Sequence, residues 1–83
     1  MKILYFSWVR DQIGKSSDEF DIPNEINTLS KLIIWLSEKN PKYKKILLSN
    51  NTIRFAINHE FADLENEIIA TDEIAIFPPV TGG

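Results

Sequence analysis

Thr28-Leu29-Ser30-Lys31-Leu32-Ile33-Ile34-Trp35-Leu36-Ser37-Glu38-Lys39-Asn40 is the stretch on which the fold turns. Leu29, Leu32, Ile33 and Leu36 fall at i, i+3, i+4 and i+7, which puts four apolar side chains on one face of a helix. Thr28 offers a side-chain oxygen to the unpaired N–H groups of the first turn, with Asn27 as the alternative cap. Asn40 and Pro41 are expected to stop the helix. Trp35 flanks the stripe, and Ile34 lies nearly opposite it, where the spacing gives it no role. An amphipathic helix needs an apolar surface to lie on, and the sequence on both sides reads as strand.

Upstream, Met1 to Val9 is rich in aromatic and branched residues and reads as one strand. Alternation puts Ile3, Tyr5, Ser7 and Val9 on one face and Leu4, Phe6 and Trp8 on the other. Both faces are largely apolar, although a strand covered on one side only should alternate with polar residues. Something else is therefore expected to cover the second face. Arg10 to Asp18, with Gly14 and Ser16-Ser17, reads as a loop. Glu19 to Ile22 reads as a second strand in a hairpin with the first, ended by Pro23.

Downstream, Tyr43 to Leu48 reads as a short helix or a turn. Thr52 to Ile57 alternates as a strand, with Ile53, Phe55 and Ile57 on one face. Asn58 and His59 start a turn, Phe61 to Leu64 carries a short strand, and Glu73 to Phe77 is the last strand. In that strand Ile74 and Ile76 share one face, Ala75 and Phe77 the other. The order β, β, α, β, (β), β predicts an α+β chain with a mixed sheet of four to five strands on one main helix, the β-grasp architecture.

Eighty-three residues make one small domain, and 43% hydrophobic residues suffice for a core. The formal net charge is −3. Lys42, Lys44 and Lys45 form the only basic cluster and read as a solvated helix face, so nucleic-acid binding is not expected. There is no cysteine and one histidine, which leaves no set of soft metal ligands. No apolar run approaches a membrane span, and Met1 leads into a strand rather than a secretion signal. The expectation is a soluble cytoplasmic protein that binds neither metal nor membrane.

The end of the sequence is its most specific part. Phe77 precedes a proline and is biased to extended backbone. Pro78 and Pro79 hold φ near the polyproline value and donate no hydrogen bond, so the chain leaves the sheet stiffly. Val80 and Thr81 favour extension, and Gly82 and Gly83 have no Cβ to clash in a narrow channel. The six residues after Phe77 reach about 20 Å when extended. Residues 1–77 read as the domain and residues 78–83 as a tail able to deliver a carboxylate into another protein's active site.

This tail resembles that of the small subunit of molybdopterin synthase, a ubiquitin-like sulfur carrier. Met1 to Arg10, the Thr28 helix, Ala56-Ile57-Asn58 and the whole run from Asp72 to Gly83 are similar to that family in order and spacing. One departure is Thr71, where the family often has a glycine in the turn before its Asp-Glu pair. The resemblance implies that an ATP-dependent enzyme adenylates the Gly83 carboxylate and that a sulfur donor converts it to a thiocarboxylate. Gly82, Thr81, Val80, Pro79 and Pro78 would then thread into the large subunit, in a heterotetramer of two small and two large subunits. There sulfur would pass to a cyclic pyranopterin held by the large subunit. The chain would bind no cofactor and would be non-catalytic alone. Thiamine-type sulfur carriers and ubiquitin-like modifiers also end in two glycines; they usually lack the Pro-Pro-Val-Thr lead.

The remaining candidates read as structure. His59 is expected to be a surface residue of a turn. Asp63, Glu65, Glu67, Asp72 and Glu73 lack partners in any catalytic spacing and read as a solvated face. Ser16-Ser17 has no nucleophile-elbow context, and Gly14 is isolated. Phe6, Phe61 and Phe77 are different. Phenylalanines default to the core, but strand parity puts Phe6 and Phe77 on the side away from the helix. The resemblance places the large subunit against these positions, so the three are expected to form its contact surface.

Overall fold

A computed structural model describes residues 1–49 and 52–79. Lys2–Tyr5 forms β1, with Ile3 and Tyr5 buried and Leu4 on the opposite side. The strand ends well before Val9. Ser7 takes φ = 56°, outside the β region, and Ser7–Ile13 winds into a helix, α1. The expected strand to Val9 and loop from Arg10 are corrected accordingly. An unbroken apolar run satisfies a strand and a buried helix segment equally. What decides is Val9 and Ile13, four residues apart and both buried. Trp8 is half-buried against the core instead of sitting on the outer strand face. Gly14 ends α1 at φ = 94°, its N–H donating to the Arg10 carbonyl at 2.8 Å.

Ser17–Glu19 forms β2, antiparallel to β1, starting two residues and ending three residues before the expected Glu19 to Ile22. Leu29–Ser37 forms α2. Thr28 caps it, its hydroxyl accepting from the Lys31 N–H at 3.3 Å. The Leu29 and Ser30 N–H groups donate to the Asn66 and Leu64 carbonyls at 3.0 and 2.9 Å. The loop before the last strand thus satisfies donors that a helix start leaves open. The helix stops at Ser37 because Asn40 and Pro41 begin the next one, Pro41–Ser49 (α3). The Asn40 side chain accepts from the Lys42 N–H at 2.8 Å, and proline at a first helical position lacks only an N–H that would be unpaired anyway.

Arg54–Ile57 (β3) and Glu60–Ala62 (β4) form a hairpin. Its two-residue turn, Asn58 and His59, has φ = 49° and 74°, the mirror-image turn whose twist suits paired strands. Glu73–Phe77 forms β5, at the expected bounds. The turn before it does without glycine: the Asp72 carboxylate accepts from the Ile69 N–H at 2.8 Å, and Thr71 keeps negative φ.

The sheet order is β2-β1-β5-β3-β4, with β1 and β5 parallel and the other neighbours antiparallel. This is the expected α+β β-grasp arrangement, with α3 packed against α2, and α1 against α3 and the β1–β5 pair. Ile3, Tyr5, Ile74 and Ile76 from the sheet meet Val9 of α1 and Leu29, Leu32 and Leu36 of α2, all essentially fully buried. Trp35 is accounted for by an edge-on contact with Phe20, ring centroids 5.4 Å apart, and by the Lys39 ammonium 4.1 Å from its ring. Ile34 remains half-exposed.

One charged group is sunk into this framework. Asp18 of β2 accepts from the Tyr5 and Tyr43 hydroxyls at 2.9 and 2.7 Å, while Lys15 Nζ lies 2.7 Å from its other oxygen. Three segments and a helix are tied at a single carboxylate.

Candidate functional site

The helices cover one face of the sheet and leave the other open. Cross-strand register fixes what the open face carries. Leu4 of β1 lies beside Ala75 of β5, Ala75 pairs with Ala56 of β3, and Ala56 pairs with Phe61 of β4. One pleat further toward the tail come Phe77 and its partner Arg54. At the other end Lys2 pairs with Glu73 and with Glu19. Apart from Arg54, the face is therefore apolar near the tail, and it is charged away from it.

Phe6 is 46% exposed and Phe61 83% exposed, and Phe77 is half-buried. The Phe61 and Phe77 rings lie 5.8 Å apart, tilted by 45°. Phe6 and Phe77 line one open concavity of about 570 Å³, together with Leu4, Ala56, Ala75 and the two prolines Pro78 and Pro79. Phe61 and Phe77 line an adjoining one that also includes Pro79. Phe77 thus faces away from α2 as its parity in β5 predicted, whereas Phe6 reaches the same side as the N-cap of α1 and not as a strand residue. So many large apolar side chains on one open face mark a surface for association. Phe6 is held there by its backbone, whose N–H donates to the Ile76 carbonyl at 3.1 Å.

The rim of the face is built by the β3–β4 turn. Asn58 donates to Asp72 at 2.8 Å, its side-chain oxygen accepts from the Glu73 N–H at 2.9 Å, and its own N–H donates to the Glu73 carbonyl at 2.8 Å. The turn is thereby locked to the start of β5. His59, strongly exposed as expected, lies with Nε2 3.6 Å from a Glu73 carboxylate oxygen. Both line the first concavity at its polar end. Asp63, Glu65 and Glu67 are solvent-exposed and belong to the loop that straps α2. Among the described residues no three His, Asp or Glu side chains group as a metal site would require.

Val80, Thr81, Gly82 and Gly83 lie outside the described residues. Pro78 and Pro79 are described, and they leave the sheet at the edge of the apolar face. The position that sequence reasoning passed over is Ala56. Its parity opposite Ile57 was readable, but a small residue advertises no contact.

The family model of the ThiS family matches residues 3–83. The chain belongs to the ThiS family. A molybdopterin synthase sulfur carrier subunit from Dictyostelium discoideum is 38% identical over 84 residues, covering 99% of this chain and 94% of its own length. Among solved structures, SAMP1 from Haloferax volcanii superposes with a TM-score of 0.77 at 26% identity, covering 100% of this chain and 98% of that one. Subunits 1 and 2 of the molybdopterin-converting factor from Helicobacter pylori have been solved as a protein–protein complex. A chain of that complex matches with a TM-score of 0.64 at 25% identity, over 99% of this chain and 96% of that one. The resemblance drawn from the tail and strands is thereby borne out across the whole chain. No helix among the described residues is long and apolar enough to cross a membrane.

Proposed function

We propose that this chain is the sulfur carrier subunit of a molybdopterin synthase. The observation that carries the reading is where the Phe77-Pro78-Pro79-Val80-Thr81-Gly82-Gly83 sequence is rooted: at the edge of an open apolar sheet face rather than on the helical side. A partner that covers this face also meets the start of the tail. The kinship with sulfur carrier subunits, and with a chain solved in complex with its second subunit, supports the same reading.

In this reading an ATP-dependent enzyme adenylates the Gly83 carboxylate. Adenylation turns a poor acyl group into one with a good leaving group. A sulfur donor displaces AMP and leaves a thiocarboxylate. The tail then enters the large subunit, where the sulfur passes to a cyclic pyranopterin and the dithiolene of molybdopterin is built. Acid, base and phosphate-binding groups belong to the partners. The assembly is a heterotetramer of two small and two large subunits, at work in the cytoplasm. This chain supplies sulfur, reach and a docking face.

Removing Gly83, or adding one residue after it, should abolish sulfur transfer and leave thermal unfolding unchanged, because the core lies within residues 3–76. Mass spectrometry of protein from its native host should show a fraction with one terminal oxygen replaced by sulfur. Unchanged cofactor synthesis by the Gly83 variants would refute the carrier reading. A second reading has support in the likeness to SAMP1, a small archaeal modifier protein: this chain would then be a modifier joined to other proteins through Gly83. Covalent conjugates in host lysate that vanish with Gly83 would favour it over sulfur transfer.

A further inference from the structure

The open face is not a uniform apolar plateau. Its centre is the cross-strand pair Ala56–Ala75, and larger side chains stand on either side. Leu4 flanks the pair on β1, Phe6 and Phe77 stand at the tail end, and Phe61, opposite Ala56 on β4, lines the adjoining concavity. Directly opposed residues on one sheet face have Cβ atoms only about 5 Å apart, so their side chains decide the local relief. Two methyl groups between taller walls leave a hollow in the sheet face. The same concavity is lined by Pro78 and Pro79.

We infer that the Ala56–Ala75 pair is the floor of a socket that accepts one bulky apolar side chain from the large subunit that receives Gly83. The inference rests on the functional reading above and adds the shape that the partner must present. Its occupant follows from reach. Four residues follow Pro79, and even fully extended they span no more than about 14 Å. An active site that takes the Gly83 carboxylate therefore lies within that distance of the socket's own rim, and the protein around it must cover the hollow. A flat or polar surface laid over the hollow would leave a void between apolar walls, and voids forfeit packing contacts on every lining atom. An aromatic or branched aliphatic side chain fills it. Buried apolar anchors of this kind, seated in pockets, dominate most protein interfaces.

The test fills the socket from this side. In Ala75→Leu the added atoms point away from the core into the hollow, where no second layer of the domain covers them. Branched and larger residues also suit a strand better than alanine. The free domain should unfold at the native temperature or above. Titration against the large subunit of molybdopterin synthase from the same organism should show at least tenfold weaker binding, with Ala75→Val in between. In the native protein, the Ala56 and Ala75 methyl groups should show NMR contacts to aromatic or methyl protons of that subunit. The inference is overturned if the native domain binds and Ala75→Leu binds within twofold of it. Should Ala75→Leu fail to fold, the methyl contacts decide, and their absence in a complex that forms is equally fatal. If the native domain does not bind the subunit at all, the functional reading itself falls and the socket with it.

Discussion

Asp18 shows what a single residue can hold. Burial alone would raise its pKa, but the hydrogen bonds from Lys15, Tyr43 and Tyr5 outweigh it and hold the carboxyl below its ordinary value. The two phenols shift the other way, upward, chiefly through burial and then through their bonds to Asp18. A carboxyl whose folded pKa is depressed stabilises the fold at every pH above its unfolded value, near 3.9, and the contribution fades as pH falls through the lower folded value. The domain should therefore lose stability below about pH 4. Asp18→Asn should flatten that acid limb and cost about 2 kcal/mol at neutral pH, the scale of hydrogen bonds to a charged group. Urea unfolding of both proteins across the acid range checks it, and parallel pH curves would remove Asp18 from the account. Nothing in the sequence announced this node. Tyr5 and Tyr43 lie 38 positions apart, on a strand and a helix, and only the fold brings them to one oxygen. Thr28, by contrast, was legible, because a cap acts on backbone three residues away.

At the scale of elements, legibility followed periodicity. The α2 stripe and the β5 alternation were read correctly because each has an unambiguous repeat. The β1–α1 junction was misread because the apolar run continues across it, and the break lies in one backbone angle at Ser7. Asn40-Pro41 was read as a stop, and it does bound a helix, but as the start of α3. The signal for α1 that could have been used is Gly14, one residue past a helix whose Val9 and Ile13 share a face. Its role is testable. A Cβ placed on Gly14 would come no nearer than 4.0 Å to the Lys42 ammonium, so space is not the constraint. The positive φ is, and it costs a non-glycine residue about 1 kcal/mol. Gly14→Ala should lower unfolding free energy by about that amount, with the effect confined to stability and partner binding retained. A neutral Gly14→Ala in chemical denaturation would mean that α1 does not depend on its left-handed cap.

Across the whole molecule, the proposed function divides the two faces of the sheet between folding and association, and Phe77 and Leu32 sit on opposite sides of that division. Leu32 is fully buried on α2 against the inner face. Phe77 is half-buried on the outer face, its ring tilted against that of Phe61 at 5.8 Å, with Phe61 itself largely exposed, and it immediately precedes the tail. Leu32→Ala removes buried methyl groups and leaves a cavity, at a cost of about 3 kcal/mol. Phe77→Ala removes a ring that is already partly in water, so the free domain should lose much less. The order should invert on binding. A truncated aromatic anchor commonly costs about 2 kcal/mol or more, and each 1.4 kcal/mol, roughly, is a factor of ten in Kd. Phe77→Ala should thus weaken association with the large subunit by well over tenfold, while Leu32→Ala, at temperatures where it stays folded, should bind nearly as the native domain does. Thermal unfolding of the free variants and their titration against the large subunit give the four numbers needed. If Phe77→Ala unfolds as readily as Leu32→Ala and still binds normally, the outer aromatics serve the core and the division of faces is wrong.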